Sequence, residues 1–365
     1  MASQVTNYKC PACSGPLHFT GGKLQCDYCG STFTVEDIEA RMAEADSQAA
    51  KAFAERPQES GQWDASQMGS DWGAEAENLR VYNCPSCGAE LLCDAATAAT
   101  SCPYCGNHAI VPGQFAGALK PDLVLPFQLE KDAAVKALKR HYQGKAFLPK
   151  SFKDENHVQE IKGVYVPFWL FDGMAQAAAE YNATQVSVHQ EGDYEVTTTR
   201  HFQIRRSGDV SFEKVPVDAS KRMPDDLMDS IEPYDYKDLR PFTTACLPGF
   251  LADRYDVSVQ DCSARADERC RNSALAMLRD TVQGYDTCVP TSENVRLHRG
   301  RVRYALMPVW LLSTQWKGKN FLFAMNGQTG KLVGDLPMSW KKFWITFGAI
   351  AVGLSAVITV IANLL

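Results

Sequence analysis

Four Cys-x2-Cys pairs, grouped two and two, constrain this chain more than any other feature. Residues 8–33 carry Cys10, Cys13, Cys26 and Cys29; residues 82–108 carry Cys84, Cys87, Cys102 and Cys105. In each group two knuckles flank a short strand-and-turn segment, a spacing that turns four sulfurs toward one tetrahedral cation. A segment this small buries almost no apolar surface, so the metal would supply most of its folding free energy. Zinc is the expected ion, two per chain. Iron in a rubredoxin-like site takes the same four thiolates, and the spacing does not separate the two metals. The matches between CPACSGPL and CPSCGAEL, and between CDYCG and CPYCG, mark the groups as an internal repeat. Cys93 lies on the strand between the knuckles of the second group and His108 lies just past a complete set, so neither is counted as a ligand. Cys246, Cys262, Cys270 and Cys288 are single thiols that read as small apolar residues.

The second constraint is the run Phe343–Leu365, FWITFGAIAVGLSAVITVIANLL, which carries no charge. Its length as a helix is about 34 Å, enough to cross the hydrocarbon core. Lys341 and Lys342, with Trp340 and Trp344, form the basic and aromatic flank of a cytoplasmic membrane boundary. This predicts a single-pass, tail-anchored protein of the inner membrane with its N-terminal body in the cytoplasm. The N-terminus MASQVTNYKC has neither a basic nor an apolar leader region. The 13 cysteines therefore fall in a reducing compartment, where clustered CxxC pairs mean metal rather than disulfides.

Between these constraints the chain divides into zinc ribbon 1 (1–34), a helix (35–55), a flexible linker (56–78), zinc ribbon 2 (79–112) and a body (121–337). In the helix Val35, Ile38, Met42, Ala45, Ala49 and Phe53 keep helical spacing behind a Thr34 N-cap. The linker is poor in aliphatics and rich in Ser, Gly, Gln and acid. Two readings stay open for its Trp63 and Trp72: docking on the body or a partner, or plain exposure.

The body reads as a duplicated α+β fold, two similar helix-plus-antiparallel-sheet lobes. One half has Leu125-Pro126-Phe127, a helix over 130–142 and the strand VYVPFWLF (164–171). The other has Arg240-Pro241-Phe242, a helix over 264–282 and the strand YALMPVWLL (304–312). Pro-x-Trp-Leu recurs at the same place in both strands, and each proline calls for an edge or a bulge because it cannot donate to a ladder. Core packing is the expected role of Trp169 and Trp310. The stretches 177–189 and 194–205 have strand alternation, and 321–325 with 331–335 form a hairpin across NGQTG.

No catalytic constellation stands out. GQTGKL fails the P-loop spacing and lacks its hydroxyl, there is no HExxH or GxSxG, and the seven histidines are scattered. The net charge of −6 and the mixed charges of both ribbons give no basic footprint for phosphate neutralisation. Nucleic-acid or transcription-associated binding is therefore the second reading, and a membrane-bound enzyme with an unrecognised site the third.

The paired CPxC and CxYCG ribbons, the VPFWLFD strand, the NGQTGKLVGDLP hairpin and the apolar C-terminal run together resemble a bacterial group. These are the TFIIB-type zinc-ribbon membrane proteins, often labelled primosomal-helicase-like, and the resemblance covers nearly the whole chain. It implies partners that are phage-shock-protein-A-like or carry an SPFH domain, within a membrane-stress or membrane-remodelling complex. The first reading is accordingly a non-enzymatic membrane scaffold whose zinc ribbons recruit cytosolic proteins to the inner face of the membrane. The sequence leaves the oligomeric state open.

Overall fold

A computed structural model describes residues 10–11, 17–20, 22–26, 28–41, 43–44, 61–94, 97, 101–108, 110–113, 119–155 and 160–364. The strands are β1 Leu17–Thr20, β2 Lys23–Cys26, β3 Thr32–Phe33, β4 Leu79–Asn83, β5 Glu90–Asp94, β6 Val111–Gly113, β7 Leu123–Val124, β8 Lys162–Glu191, β9 Tyr194–Asp218, β10 Arg240–Pro241, β11 Leu251–Asp253, β12 Thr287–Trp316, β13 Lys319–Asn326 and β14 Leu332–Gly334. The helices are α1 Lys131–His141, α2 Lys150–Glu155, α3 Asp225–Ile231, α4 Val259–Asp280 and α5 Trp340–Leu364.

The chain forms two compact units. The first holds residues up to Gln62, Asp172–Phe212 and Asp267–Gly300. It contains the antiparallel sheet β1-β2-β3, the later parts of β8 and α4, and the first part of β12. Residues 35–41 are helical, and the Asp37 amide donates to Thr34 Oγ1 at 3.1 Å, the N-cap that the sequence implies. Met42 and everything from Ala45 to Arg56 fall outside the described residues, so the far end of the predicted 35–55 helix does too. Arg299 grips Asp267 through two nitrogens, Nε at 3.0 Å and Nη2 at 2.5 Å, tying β12 to α4.

The second unit holds Trp63–Phe171, Glu213–Ala266 and Arg301–Leu365. Its sheet runs β10-β7-β12-β8-β11-β5-β4-β6, with β13 and β14 built outward from β12 and β9 paired to β8. Two local crossings organise it. In β7, Leu123 faces Ala305 and Val124 faces Leu306; in β11, Leu251 faces Val164 and Ala252 faces Tyr165, both pairs parallel. Each short strand therefore lies on the long strand of the other half. The tryptophans repeat the exchange. Trp310 Nε1 donates to Leu129 O at 3.0 Å and Trp169 Nε1 to Val257 O at 3.1 Å, each carbonyl just ahead of a helix, α1 or α4. Each indole also packs on an aromatic ring, Trp310 edge-on with Phe127 at 5.1 Å and Trp169 tilted against Tyr255 at 5.0 Å.

These pairings revise the alignment of the halves. The partner of the 123–127 segment is Leu251–Tyr255 and not Arg240-Pro241-Phe242, because β10 pairs antiparallel with β7 itself. The tolerance for Pro167 and Pro308 follows as well. Each lies just past the point where the short parallel strand stops, so its missing N–H leaves no ladder partner stranded on that side.

The expected flexible linker is the other correction. From Trp63 onward this stretch packs on the second unit. Trp63 is buried against Phe171 at 4.9 Å, and Trp72 against Phe242 at 5.6 Å. Ser70 exchanges backbone hydrogen bonds with Lys120, and Val302 N donates to Asp64 O. A 3-10 turn over Gly73–Asn78 leads straight into β4. Burial of two indoles offsets the entropy of ordering a polar segment.

Candidate metal centres

The second four-cysteine group is assembled from two identical turns. After Cys84 the chain folds so that Gly88 N donates to Cys84 O and Cys84 N to Ala89 O, at 2.8 and 2.9 Å. After Cys102 the same pair recurs, Gly106 N to Cys102 O and Cys102 N to Asn107 O, at 3.0 and 2.8 Å. Gly88 and Gly106 both take φ of 72°, a left-handed value that lets the loop close behind its two sulfurs. Cys84 Sγ lies 3.6 Å from Cys105 Sγ, and Cys87 Sγ 3.5 Å from Cys102 Sγ, with all four sulfurs within 4.8 Å of one another. A tetrahedral zinc thiolate centre has sulfurs about 3.8 Å apart, given its usual metal–sulfur bond, so this donor set fits such an ion. Burial pushes the Cys87 thiol up to about 11 and Cys102 further still. A cation at their centre is the natural means of holding them as thiolates.

The first group shows the same turn at its second knuckle. Gly30 N donates to Cys26 O at 3.0 Å, Cys26 N to Ser31 O at 2.9 Å, and Gly30 also has φ of 72°. Cys10, Cys26 and Cys29 bring their sulfurs within 4.8 Å of one another, with Cys10 and Cys29 at 3.5 Å. Cys13, the fourth expected ligand, lies outside the described residues. The residues set aside stay apart from both groups. Cys93 is buried and donates to Thr97 O at 3.3 Å, while His108 is exposed.

The two groups differ in their setting, and this corrects the expectation of two alike, self-contained ribbons. The second is built into the body sheet. β5 pairs with β11, and Cys84, Ala89, Leu91, Cys93, Cys102 and Tyr104 share one core cluster with Val166, Phe168 and Met307. Body side chains hold both knuckles from outside. Arg222 Nη2 donates to Gly88 O at 2.6 Å, Lys162 Nζ to Ser101 O at 2.7 Å, and Asn320 Nδ2 to Tyr104 O at 3.3 Å. Sequence reasoning missed these three residues, since nothing local marks them; each comes from a distant strand end or loop. Their chemistry, cationic or amide donors set against loop carbonyls, becomes legible only once the fold is known.

A Bacillus subtilis protein, the uncharacterized YdjG, is 33% identical over 326 residues, covering 74% of this chain and 94% of that relative. The chain belongs to the YdjG family. No family model and no solved structure matches it.

At the far end of the chain, α5 is long and apolar enough to cross a membrane. Over Trp340–Thr359 its mean hydropathy is 1.6 and none of that stretch is buried. Its first turn is fastened to the second unit. Ser339 N donates to Phe147 O and Lys342 Nζ to Leu148 O, both at 2.8 Å, while Phe343 meets Phe147 edge-on at 5.8 Å.

Proposed function

We propose that this chain is a membrane-anchored adaptor that holds two zinc ions and brings cytosolic proteins to the inner face of the cell membrane. The observation that carries the reading is α5: a helix of spanning length with no protein cover, joined through a capped and hydrogen-bonded first turn to a large folded unit. Such a helix satisfies its own backbone in lipid, and its apolar surface is a liability in water. Zinc suits the compact four-sulfur geometry and a reducing cytosol. The second metal centre supports the body from inside its core. Capture of partners therefore falls to the first ribbon, which presents Phe19 and Tyr28 to solvent at 65% and 78% exposure. The partners implied by the sequence resemblance are phage-shock-protein-A-like and SPFH-domain proteins of a membrane-stress complex.

The test has two arms in cells. Removing residues 340–365 is expected to release a folded chain into the soluble fraction; retention in membranes after a high-salt wash overturns the anchor. With the anchor intact, Cys10→Ser/Cys26→Ser is expected to leave the chain at the membrane and render a fluorescent phage-shock-protein-A-like partner diffuse. Unchanged foci would move recruitment to the body.

A further inference from the structure

A cavity of about 460 Å³ opens beside the first turn of α5. It is lined by the loop between α1 and α2, from Tyr142 to Lys150, and by Lys342 of α5. Three lysines, Lys145, Lys150 and Lys342, contribute to that lining, and no acidic residue does. Lys145 and Lys150 are exposed, whereas Lys342 is half-buried because its ammonium group is spent partly on Leu148 O. The last turn of α1 adds Lys139 and Arg140 ahead of the loop. Further along α5, Trp344, Ile345 and Phe347 are all more than half exposed, the start of the uncovered apolar surface.

We infer that this cavity binds the phosphate headgroup of an anionic membrane lipid. The inference rests on the reading that α5 enters the bilayer, and deepens it by naming a lipid class. Three ammonium groups around one opening suit a phosphate, which accepts several charge-assisted hydrogen bonds at once. The volume falls in the range of small-ligand pockets, ample for a glycerophosphate head. What selects a lipid over free phosphate is the neighbouring surface. A ligand with a polar anionic head and apolar chains satisfies the lysines while its chains cover the apolar surface that begins with Ile345, three residues on and on the Lys342 side of the helix, whereas inorganic phosphate leaves that surface bare. The position agrees: Lys342 sits about 3 Å along the helix from its first residue, the level at which headgroups meet the body of an anchored protein.

The full-length chain tests this in vesicles of phosphatidylcholine and in vesicles of phosphatidylcholine mixed with phosphatidylglycerol. Flotation reports insertion. Mass spectrometry after detergent extraction counts which lipid stays with the protein. Lys145→Gln/Lys150→Gln is the variant, since both side chains are exposed and Lys342 keeps its bond to Leu148. The expected result is flotation with both vesicles, selective retention of phosphatidylglycerol by the wild type, and about a tenfold loss of that selectivity in the variant. Flotation without selectivity, or with selectivity unchanged in the variant, overturns the lipid site while leaving the anchor standing. Failure to float with either vesicle overturns both. Displacement of phosphatidylglycerol by millimolar inorganic phosphate would make this a free-phosphate site and overturn the lipid assignment.

Discussion

Cys102 and Cys29 are the same chemical group with different duties. Cys102 lies 2% exposed in the body core, while Cys29 sits exposed on the first ribbon. Serine at either position is expected to lower bound metal from two ions to one, read by elemental analysis. Only Cys102→Ser should also lower the stability of the body, by about 3 kcal/mol or more, because it leaves an incomplete donor set inside a packed core. Equal melting curves for the two variants would contradict the integrated second centre. Asp253 makes a pH-dependent case. It is 2% exposed, and Ser220 Oγ donates to its Oδ2 at 2.7 Å. Burial pushes its carboxyl up to about 6, against the pull of the Ser220 and Tyr104 hydroxyls. A raised folded value means the folded state holds the proton more tightly than the unfolded chain does. Its contribution is fully present below the ordinary 3.8 and is lost as pH rises through about 6. Asp253→Asn should flatten the melting temperature across that window relative to wild type, as thermal scans at stepped pH would show.

Among the elements, the tryptophan latches give the sharpest comparison. Trp169→Phe and Trp310→Phe each leave a carbonyl ahead of a helix without its donor, at an expected cost of about 1–3 kcal/mol apiece. Denaturant titration should find the two losses similar; a large disparity would mean that the matching contacts are not matched in energy. The strands bearing these residues were legible in the sequence because apolar runs with a repeated Pro-x-Trp-Leu read as buried β-structure. The hairpin across NGQTG was legible for its turn residues. Other elements were not. The outer part of β12, Thr287–Gly300, carries polar residues on both faces and gives no alternation to follow. The docking of Trp63 and Trp72 on the body stayed one of two open readings because their aromatic partners, Phe171 and Phe242, lie far away in the chain. The cysteine knuckles could be read because spacing alone fixes their geometry. The grip of Lys162, Arg222 and Asn320 on them could not, since it depends on tertiary placement.

At the scale of the molecule, the exchange of short strands makes the halves of the second unit interdependent. β7 has its parallel neighbour in β12, and β11 has its own in β8. A fragment ending at Lys237, produced alone, should therefore lack a cooperative melting transition. It should recover one when residues 238–340 are supplied in trans, as a one-to-one complex seen by light scattering. A cooperative monomeric fold of the first fragment alone would show that the exchange is not needed. The same feature bears on ancestry. Neither half closes this sheet by itself, because its short strand lies on the long strand of the other. If the halves descend from one duplicated segment, joining the copies would have turned a concentration-dependent encounter into an internal one.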